Sequence, residues 1–242
     1  MGHMGGQRRT KRHAAPAYWP IPRKTHQFTI TTSPGPHPKE WSYPLAVLIR
    51  DVLKLVKTYR EAKASIKEGN FLIDGVVRKS PNFPVGLMDV LDIPILNKVF
   101  RLIPTPKNPL MPIEIPESEK NLKLCKVKNK TTVKGGAIQY GFHDGRTIKM
   151  ESDIGLKPSD SCLIEIPSQK IIKSFKMEPD ALILVTHGKM VGLIGKVLEI
   201  KPGTITRPRM ATIDFNGTNK ELPIDTIFVI GKGEPALTLQ RG

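Results

Sequence analysis

The chain has 242 residues, and its 38 lysines and arginines exceed its 22 aspartates and glutamates by a formal net charge of +16. This excess predicts a polyanionic partner rather than a small-molecule substrate. No apolar run is long enough to span a bilayer, and no export signal opens the chain. The sequence therefore reads as cytosolic. Its two cysteines, Cys125 and Cys162, are far apart, which argues against a disulfide or a metal site.

The first segment, residues 1–43, is predicted to be an extended basic tail. Residues 1–39 contain seven lysines and arginines, no carboxylate and six prolines, so they should form no core of their own. A functionless arm is one interpretation, but large aromatic residues are rare in such arms. Interleaved cations and rings instead suit an extended segment on RNA. The candidate RNA contacts in this segment are Arg8, Arg9, Lys11, Arg12 and Trp19.

Residues 44–106 are predicted to form a small domain that begins with two helices. Pro44 suits the first turn of a helix, and apolar residues recur at helical spacing from Leu45 to Val56. Thr58 and Glu61 form a capping box that starts the second helix, and Gly69 supplies the left-handed residue that ends it. The apolar face of this second helix is predicted to contain Tyr59, Ala62 and Ile66.

A basic surface is predicted beside that apolar face. Arg60, Lys63 and Lys67 repeat at helical spacing, and a strand, an Asp74-Gly75 hairpin turn and a return strand follow. The alternative interpretation is an ordinary solvent-exposed helix face. However, the sequence of helix cap, basic ridge, terminal glycine, strand and Asp-Gly turn resembles the alpha-L RNA-binding motif, which suits a phosphate backbone. The candidate contacts here are Lys57, Arg60, Lys63, Lys67, Arg78 and Lys79.

A proline-rich linker from Pro104 to Pro112 is predicted to lead into a central β domain, residues 107–178. Its strands alternate around a second hairpin turn at Asp144-Gly145. Lysines 123, 126 and 128 are interpreted mainly as the solvated face of a half-buried sheet.

The last segment, residues 179–242, combines glycines with two runs of β-forming residues. Gly188, Gly192 and Gly195 permit a tight loop and a close backbone approach, and the loop is basic. The pattern resembles the KOW motif, a small β-barrel, and it lacks the Gly-Lys-Ser/Thr of a nucleotide-binding loop. The candidate contacts are His187, Lys189 and Lys196.

These motifs together resemble the S4e family of small-subunit ribosomal proteins from archaea and eukaryotes. The resemblance covers nearly the whole chain and is carried by residues 11–16, 35–37, 84–90, 124–127, 143–148 and 227–233. The chain stops soon after Gly233, which favours the archaeal branch. The expected fold is α+β but mostly β: an extended basic tail, an alpha-L domain, a central β domain and a C-terminal KOW barrel.

The resemblance implies a structural constituent of the cytoplasmic small ribosomal subunit that binds small-subunit rRNA and neighbouring ribosomal proteins. No cofactor, metal, membrane or small-molecule substrate is expected. One alternative is an RNA-modifying enzyme, for which Asp144 and Arg146 are the tempting pair, although Asp-Gly is ordinary hairpin chemistry and no other catalytic set is evident. The other alternative is a KOW-type transcription or translation factor, which would not need the tail or the alpha-L motif.

Overall fold

The computed structural model describes residues 10–106, 108–215 and 217–239. Strands dominate this part of the chain, and most of them lie in three antiparallel sheets that follow one another in sequence. The prediction of a mostly β protein with few helices is therefore confirmed. Among the described residues, no helix combines the length and the apolar composition needed to cross a membrane.

The N-terminal segment is folded onto the domain that follows it. Strand β1, Thr10–Lys11, pairs with β2, Phe28–Thr29, and 3₁₀-helical turns lie at Arg12–Ala14 and Lys39–Trp41. Ala15, Trp19 and Ile21 are buried in the same core as the first helix. The described part of this segment is therefore not the free extended tail that was predicted, because its apolar side chains join the core of the neighbouring domain instead of forming a core of their own.

Strand β3, Ser42–Pro44, leads into a helix that is shorter than predicted. Helix α1, Leu45–Val47, continues as a π-helical segment, Leu48–Val52, and Lys54 then takes a left-handed conformation with φ of 54°. Helix α2, Tyr59–Glu68, begins at the predicted capping box and ends at Gly69, which has φ of 93°. Ala62 and Ile66 are buried as predicted, but Tyr59 is exposed.

A five-stranded sheet shares the hydrophobic core of these helices. Its strands are β4, Leu72–Ile73; β5, Val76–Val77; β7, Val90–Ile93; β8, Lys98–Ile103; and β9, Met111–Ile115. They are arranged in the order β5-β4-β7-β8-β9, while β6, Pro84–Gly86, pairs with β3. Because β9 pairs along β8, residues 111–115 belong to this sheet, and the end of the predicted linker, residues 111–112, is part of a strand.

The central sheet has five strands in the order β12-β11-β10-β13-β14. They are β10, Leu122–Thr132; β11, Ile138–Phe142; β12, Thr147–Met150; β13, Ser161–Glu165; and β14, Lys170–Phe175. The predicted turn at Asp144-Gly145 joins β11 to β12. Cys125 and Cys162, which looked remote in sequence, lie opposite each other on β10 and β13 as free, buried thiols.

The C-terminal sheet has six strands in the order β18-β17-β16-β15-β19-β20. They are β15, Ala181–Val185; β16, Ile194–Lys201; β17, Met210–Phe215; β18, Thr218–Pro223; β19, Ile227–Lys232; and β20, Glu234–Pro235. Its core also includes Ile103 from β8 and Leu124 from β10. The three sheets therefore share apolar packing, which sets the positions of the loops between them.

Candidate nucleic-acid interface

Helix α2 presents the predicted row of cations to solvent. Arg60, Lys63 and Lys67 are all exposed, and Lys57 is exposed just before the helix begins. The Glu61 carboxylate accepts hydrogen bonds from the backbone N–H groups of Lys57 (3.0 Å) and Thr58 (3.3 Å). These bonds lower the pKa of Glu61 and commit its charge to the helix cap. The cations of the row have no ion-pair partner among the described residues.

The hairpin beside α2 extends this basic surface. Asp74 and Gly75 both have positive φ (52° and 74°), which is the conformation of the tight turn that Asp-Gly favours. Lys79 is exposed, and its Cε lies 3.8 Å from the position of an ideal Cβ on Gly69, at the end of α2. Arg78 is half-buried, with its guanidinium carbon 4.6 Å from the centre of the Phe83 ring. The hairpin thus adds Lys79 to the surface, while Arg78 mainly packs.

Two residues predicted to contact RNA in the N-terminal segment are internal instead. Trp19 is 2% exposed, and its indole N–H donates to the carbonyl of Ser42 at 3.1 Å. The buried guanidinium of Arg12 donates to the carbonyls of Pro22 (2.5 Å) and Phe28 (3.2 Å). The prediction that these two side chains meet RNA is wrong for this structure, because they hold the segment together.

The remaining N-terminal candidates divide into two groups. Lys11 is exposed, so it stays a candidate contact. Arg8 and Arg9 lie outside the described residues, and the predictions made for them stay predictions.

The C-terminal loop places its candidates less uniformly. Lys189 is exposed, whereas His187 is half-buried and packs edge-to-face on Trp41 with ring centres 4.0 Å apart. Burial, with a contribution from Lys126, lowers the pKa of His187, so the imidazole is neutral at pH 7. Lys196 is exposed and forms a surface ion pair with Asp180 at 2.9 Å. A contact between Lys196 and a phosphate would therefore compete with Asp180.

The largest departure from the sequence prediction is Lys123, which is fully buried. Its Nζ lies 2.7 Å from Asp74, 2.6 Å from Asp89 and 2.9 Å from Asp144. The three aspartates come from the turns between β4 and β5, between β6 and β7, and between β11 and β12. Lys123 thus joins the α2 domain to the central sheet and is not part of a solvated face. The alternation of Lys123 with Leu122 and Leu124 predicted a solvent-facing side chain and gave no signal of burial.

Further charges complete this buried cluster. Arg146 pairs with Asp74 and, at 3.0 Å, with Asp144, and His37 lies 3.0 Å from Asp89. Burial opposes ionisation of Asp144, but the combined effect of Lys123, His143 and Arg146 outweighs it and lowers the pKa of Asp144 to about 2. Burial raises the pKa of Asp74, whereas the pKa values of Asp89 and Asp144 are lowered. Asp74 is therefore the first of these three aspartates to be protonated as pH falls.

The cluster has neither catalytic nor metal-binding character. Asp144 and Arg146, the pair that suggested an enzyme, are committed to structural ion pairs. Cys125, His143 and Asp144 have ligand atoms within 4.8 Å of one another. However, both ring nitrogens of His143 are hydrogen-bonded to backbone groups, and the Lys123 ammonium supplies the cation that Asp144 requires. Burial also keeps the Cys125 thiol protonated by raising its pKa.

This geometry defines a basic, mostly β protein with an exposed cationic helix, of the kind that binds RNA. Comparisons with known proteins identify the family. Residues 96–171 match the ribosomal family S4e, residues 4–40 the RS4NT domain and residues 44–91 the S4 domain. The chain belongs to the ribosomal family S4e.

Similar proteins support this assignment over the full length. The small ribosomal subunit protein eS4 of Staphylothermus marinus is 39% identical over 100% of this chain and 99% of its own. The corresponding protein of Korarchaeum cryptofilum is 41% identical, covering 99% and 100%. The crystal structure of the 30S ribosomal protein S4e from Thermoplasma acidophilum is similar with a TM-score of 0.68 and 30% identity, covering 81% of this chain and 97% of that one.

Proposed function

We propose that this protein is a structural constituent of the small ribosomal subunit that binds small-subunit rRNA through the cationic face of α2. The observation that carries the proposal is the row formed by Arg60, Lys63 and Lys67, which is exposed and free of ion pairs within the described chain. The names of the relatives place those proteins in the small ribosomal subunit. The same role locates this protein in the cytoplasm, in contact with other proteins of that subunit.

The shape of the α2 surface supports contact with a phosphate backbone. Lys54 and Lys57 line one part of a groove of about 550 Å³ beside α2, which Glu61 and Glu68 also line, and Lys79 borders the other end of the helix. Cations on a rigid, capped helix can be matched to phosphates with little loss of conformational entropy on binding. Lys11, Lys189 and Lys196 would then add contacts at separate places, and the C-terminal sheet would act as a KOW-type unit.

Membership of a ribosomal protein family assigns a structural rather than an enzymatic role. The burial of Asp144 beside Lys123 agrees with this, because a carboxylate that is paired with both Lys123 and Arg146 is not available to a substrate. The remaining alternative, a dissociable factor, predicts a different behaviour in high salt. Cosedimentation with small subunits should persist in high salt for a constituent and be lost for a factor.

The binding surface is tested by the double variant Arg60→Glu/Lys63→Glu. If wild-type protein neutralises about four phosphates, the plot of log K against log salt should have a slope near −3 to −4. Loss of two phosphate contacts should reduce this slope by about 2 and weaken binding at all sequences tested. Fluorescence anisotropy with a small-subunit rRNA fragment, repeated across a series of KCl concentrations, measures both quantities.

A variant with the same change of charge is the control. Lys170→Glu/Lys173→Glu alters two exposed cations on β14, far from α2 in sequence. This control should retain most of the affinity and most of the slope. Equal losses in the two double variants would show that net charge alone governs binding, and an unchanged affinity for Arg60→Glu/Lys63→Glu would exclude the α2 surface.

A further inference from the structure

Trp41 is the tryptophan that reaches the surface. It is 38% exposed, whereas Trp19 is 2% exposed. Trp41 ends the 3₁₀-helical turn Lys39–Trp41, and its ring meets the His187 imidazole edge-to-face with an interplanar angle of 67°. Because that contact occupies only part of the indole, the rest of the ring is available to a partner.

Two cavities border Trp41. One, of about 400 Å³, is bounded by Trp41, His187, Phe228 and Lys128, and so joins the N-terminal segment to the central and C-terminal sheets. The other, of about 510 Å³, is bounded by Trp41, Lys39 and Gly188. Both volumes fall within the range of roughly 300–1,000 Å³ that is typical of ligand sites. Each is large enough for a planar ring to lie against the indole.

The polar groups beside Trp41 have a defined chemistry. The Thr186 hydroxyl donates to the carbonyl of Thr226 at 2.9 Å, so it accepts from Nδ1 of His187, 2.6 Å away. This arrangement assigns the proton of the neutral imidazole to Nδ1 and leaves Nε2 as an acceptor. An acceptor next to an aromatic ring suits the N–H edge of a nucleobase.

Lysines lie around both cavities, although one carboxylate also lines each of them, Glu40 in the larger and Asp225 in the smaller. Lys128 is exposed and Lys39 half-buried, and Lys189 directly follows Gly188 along the chain. Lys126, in contrast, is already committed, because its ammonium donates to three backbone carbonyls between Ile224 and Ile227. A stacking ring flanked by uncommitted lysines is the usual combination for single-stranded nucleic acid.

We propose that Trp41 and His187 form a site for one unpaired RNA base, with the indole stacking on the base and Lys39, Lys128 and Lys189 holding the adjacent phosphates. The site rests on the proposed RNA-binding function and adds to it a contact with an unpaired nucleotide. It is separate from the α2 surface, for which we propose contacts with phosphates, because no residue of α2 lines either cavity.

Tryptophan fluorescence tests this site directly. The chain contains two tryptophans, so Trp19→Phe leaves Trp41 as the sole indole. Stacking on a base should quench its emission when oligo(A) or oligo(U) is added, while an abasic oligonucleotide of equal length should not. Because Trp19 is buried and its replacement can impair folding, 5-fluorotryptophan in the full wild-type chain provides a second measurement. Only one of its two ¹⁹F resonances should move on addition of oligo(A).

Affinity variants separate stacking from packing. Trp41→Leu should weaken oligonucleotide binding about five-fold to a hundred-fold, the loss expected for one base–aromatic stack, and Trp41→Phe should restore most of it. Equal quenching by the abasic oligonucleotide, or unchanged affinity of Trp41→Leu, would overturn the site.

The α2 variant keeps this test independent of the function proposed above. Arg60→Glu/Lys63→Glu should lose affinity for structured rRNA yet retain quenching of Trp41 by short oligonucleotides. If the wild-type protein binds rRNA in a salt-dependent way but oligonucleotides do not quench Trp41, only the base site is overturned. If the wild-type protein shows neither rRNA binding nor quenching, the proposed function is overturned as well.

Discussion

Replacing Lys123 with methionine should destabilise the protein more than any single change on its basic surface. The substitution keeps a long, unbranched side chain but removes the ammonium that lies within 2.9 Å of three buried carboxylates. Loss of one partner from a buried ion pair costs about 3–5 kcal/mol, because the remaining charge is left without compensation. At roughly 2–4 °C per kcal/mol for a chain of this size, Tm should fall by about 6–20 °C.

The Lys123→Met variant should also acquire a characteristic pH dependence. Without the ammonium, burial and mutual repulsion raise the pKa values of the three carboxyl groups above those of the unfolded chain. The folded state then binds more protons than the unfolded state, so the stability of the variant increases as pH falls. The difference in Tm from wild type should consequently be smaller at pH 5 than at pH 7, as measured by differential scanning calorimetry in both buffers.

Lys128→Met provides the matched control, since Lys128 lies on the same strand but is exposed. Its stability should stay within about 0.5 kcal/mol of wild type. A Tm for Lys123→Met within 2 °C of that of Lys128→Met would refute the electrostatic role of Lys123. A deficit that is identical at pH 5 and pH 7 would show instead that the side chain only fills space.

Three other predictions concern packing. Gly192→Ala should lower Tm more than Gly188→Ala does. Both glycines have positive φ, but a Cβ at Gly192 would lie 2.4 Å from the backbone of Thr105, whereas a Cβ at Gly188 would meet open space. Equal Tm values for the two variants would contradict this. Cys125 and Cys162 should resist iodoacetamide at pH 8 until the protein unfolds, because burial raises both thiol pKa values, that of Cys162 to about 12; rapid labelling of native protein, followed by mass spectrometry, would show that they are accessible. Trp19→Ala should cost about 3–5 kcal/mol in urea unfolding, and a small loss would mean that the N-terminal segment is not part of the core.

The exposed cationic face of α2, which we propose binds RNA, was largely predictable because its determinants are local. The capping box at Thr58, the left-handed Gly69 and the spacing of the cations each depend on residues within a few positions of one another. The Asp74-Gly75 turn follows from the same short-range preferences. Tyr59 shows the limit of such reasoning. It was predicted to be buried but is exposed, because burial of a residue in the first turn depends on which other segment covers the start of the helix.

Burial of the polar and aromatic residues was decided by tertiary structure. Trp19 and Trp41 lie in similar basic, proline-rich surroundings in the sequence, yet one enters a core formed by α1 and the other meets a loop of the C-terminal sheet. Lys123 occupies a strand position that alternation assigned to solvent, and only the approach of three turns from two sheets supplies the carboxylates that permit its burial. Local spacing determines which side chains share a face, but whether that face meets water depends on contacts between residues that are distant along the chain.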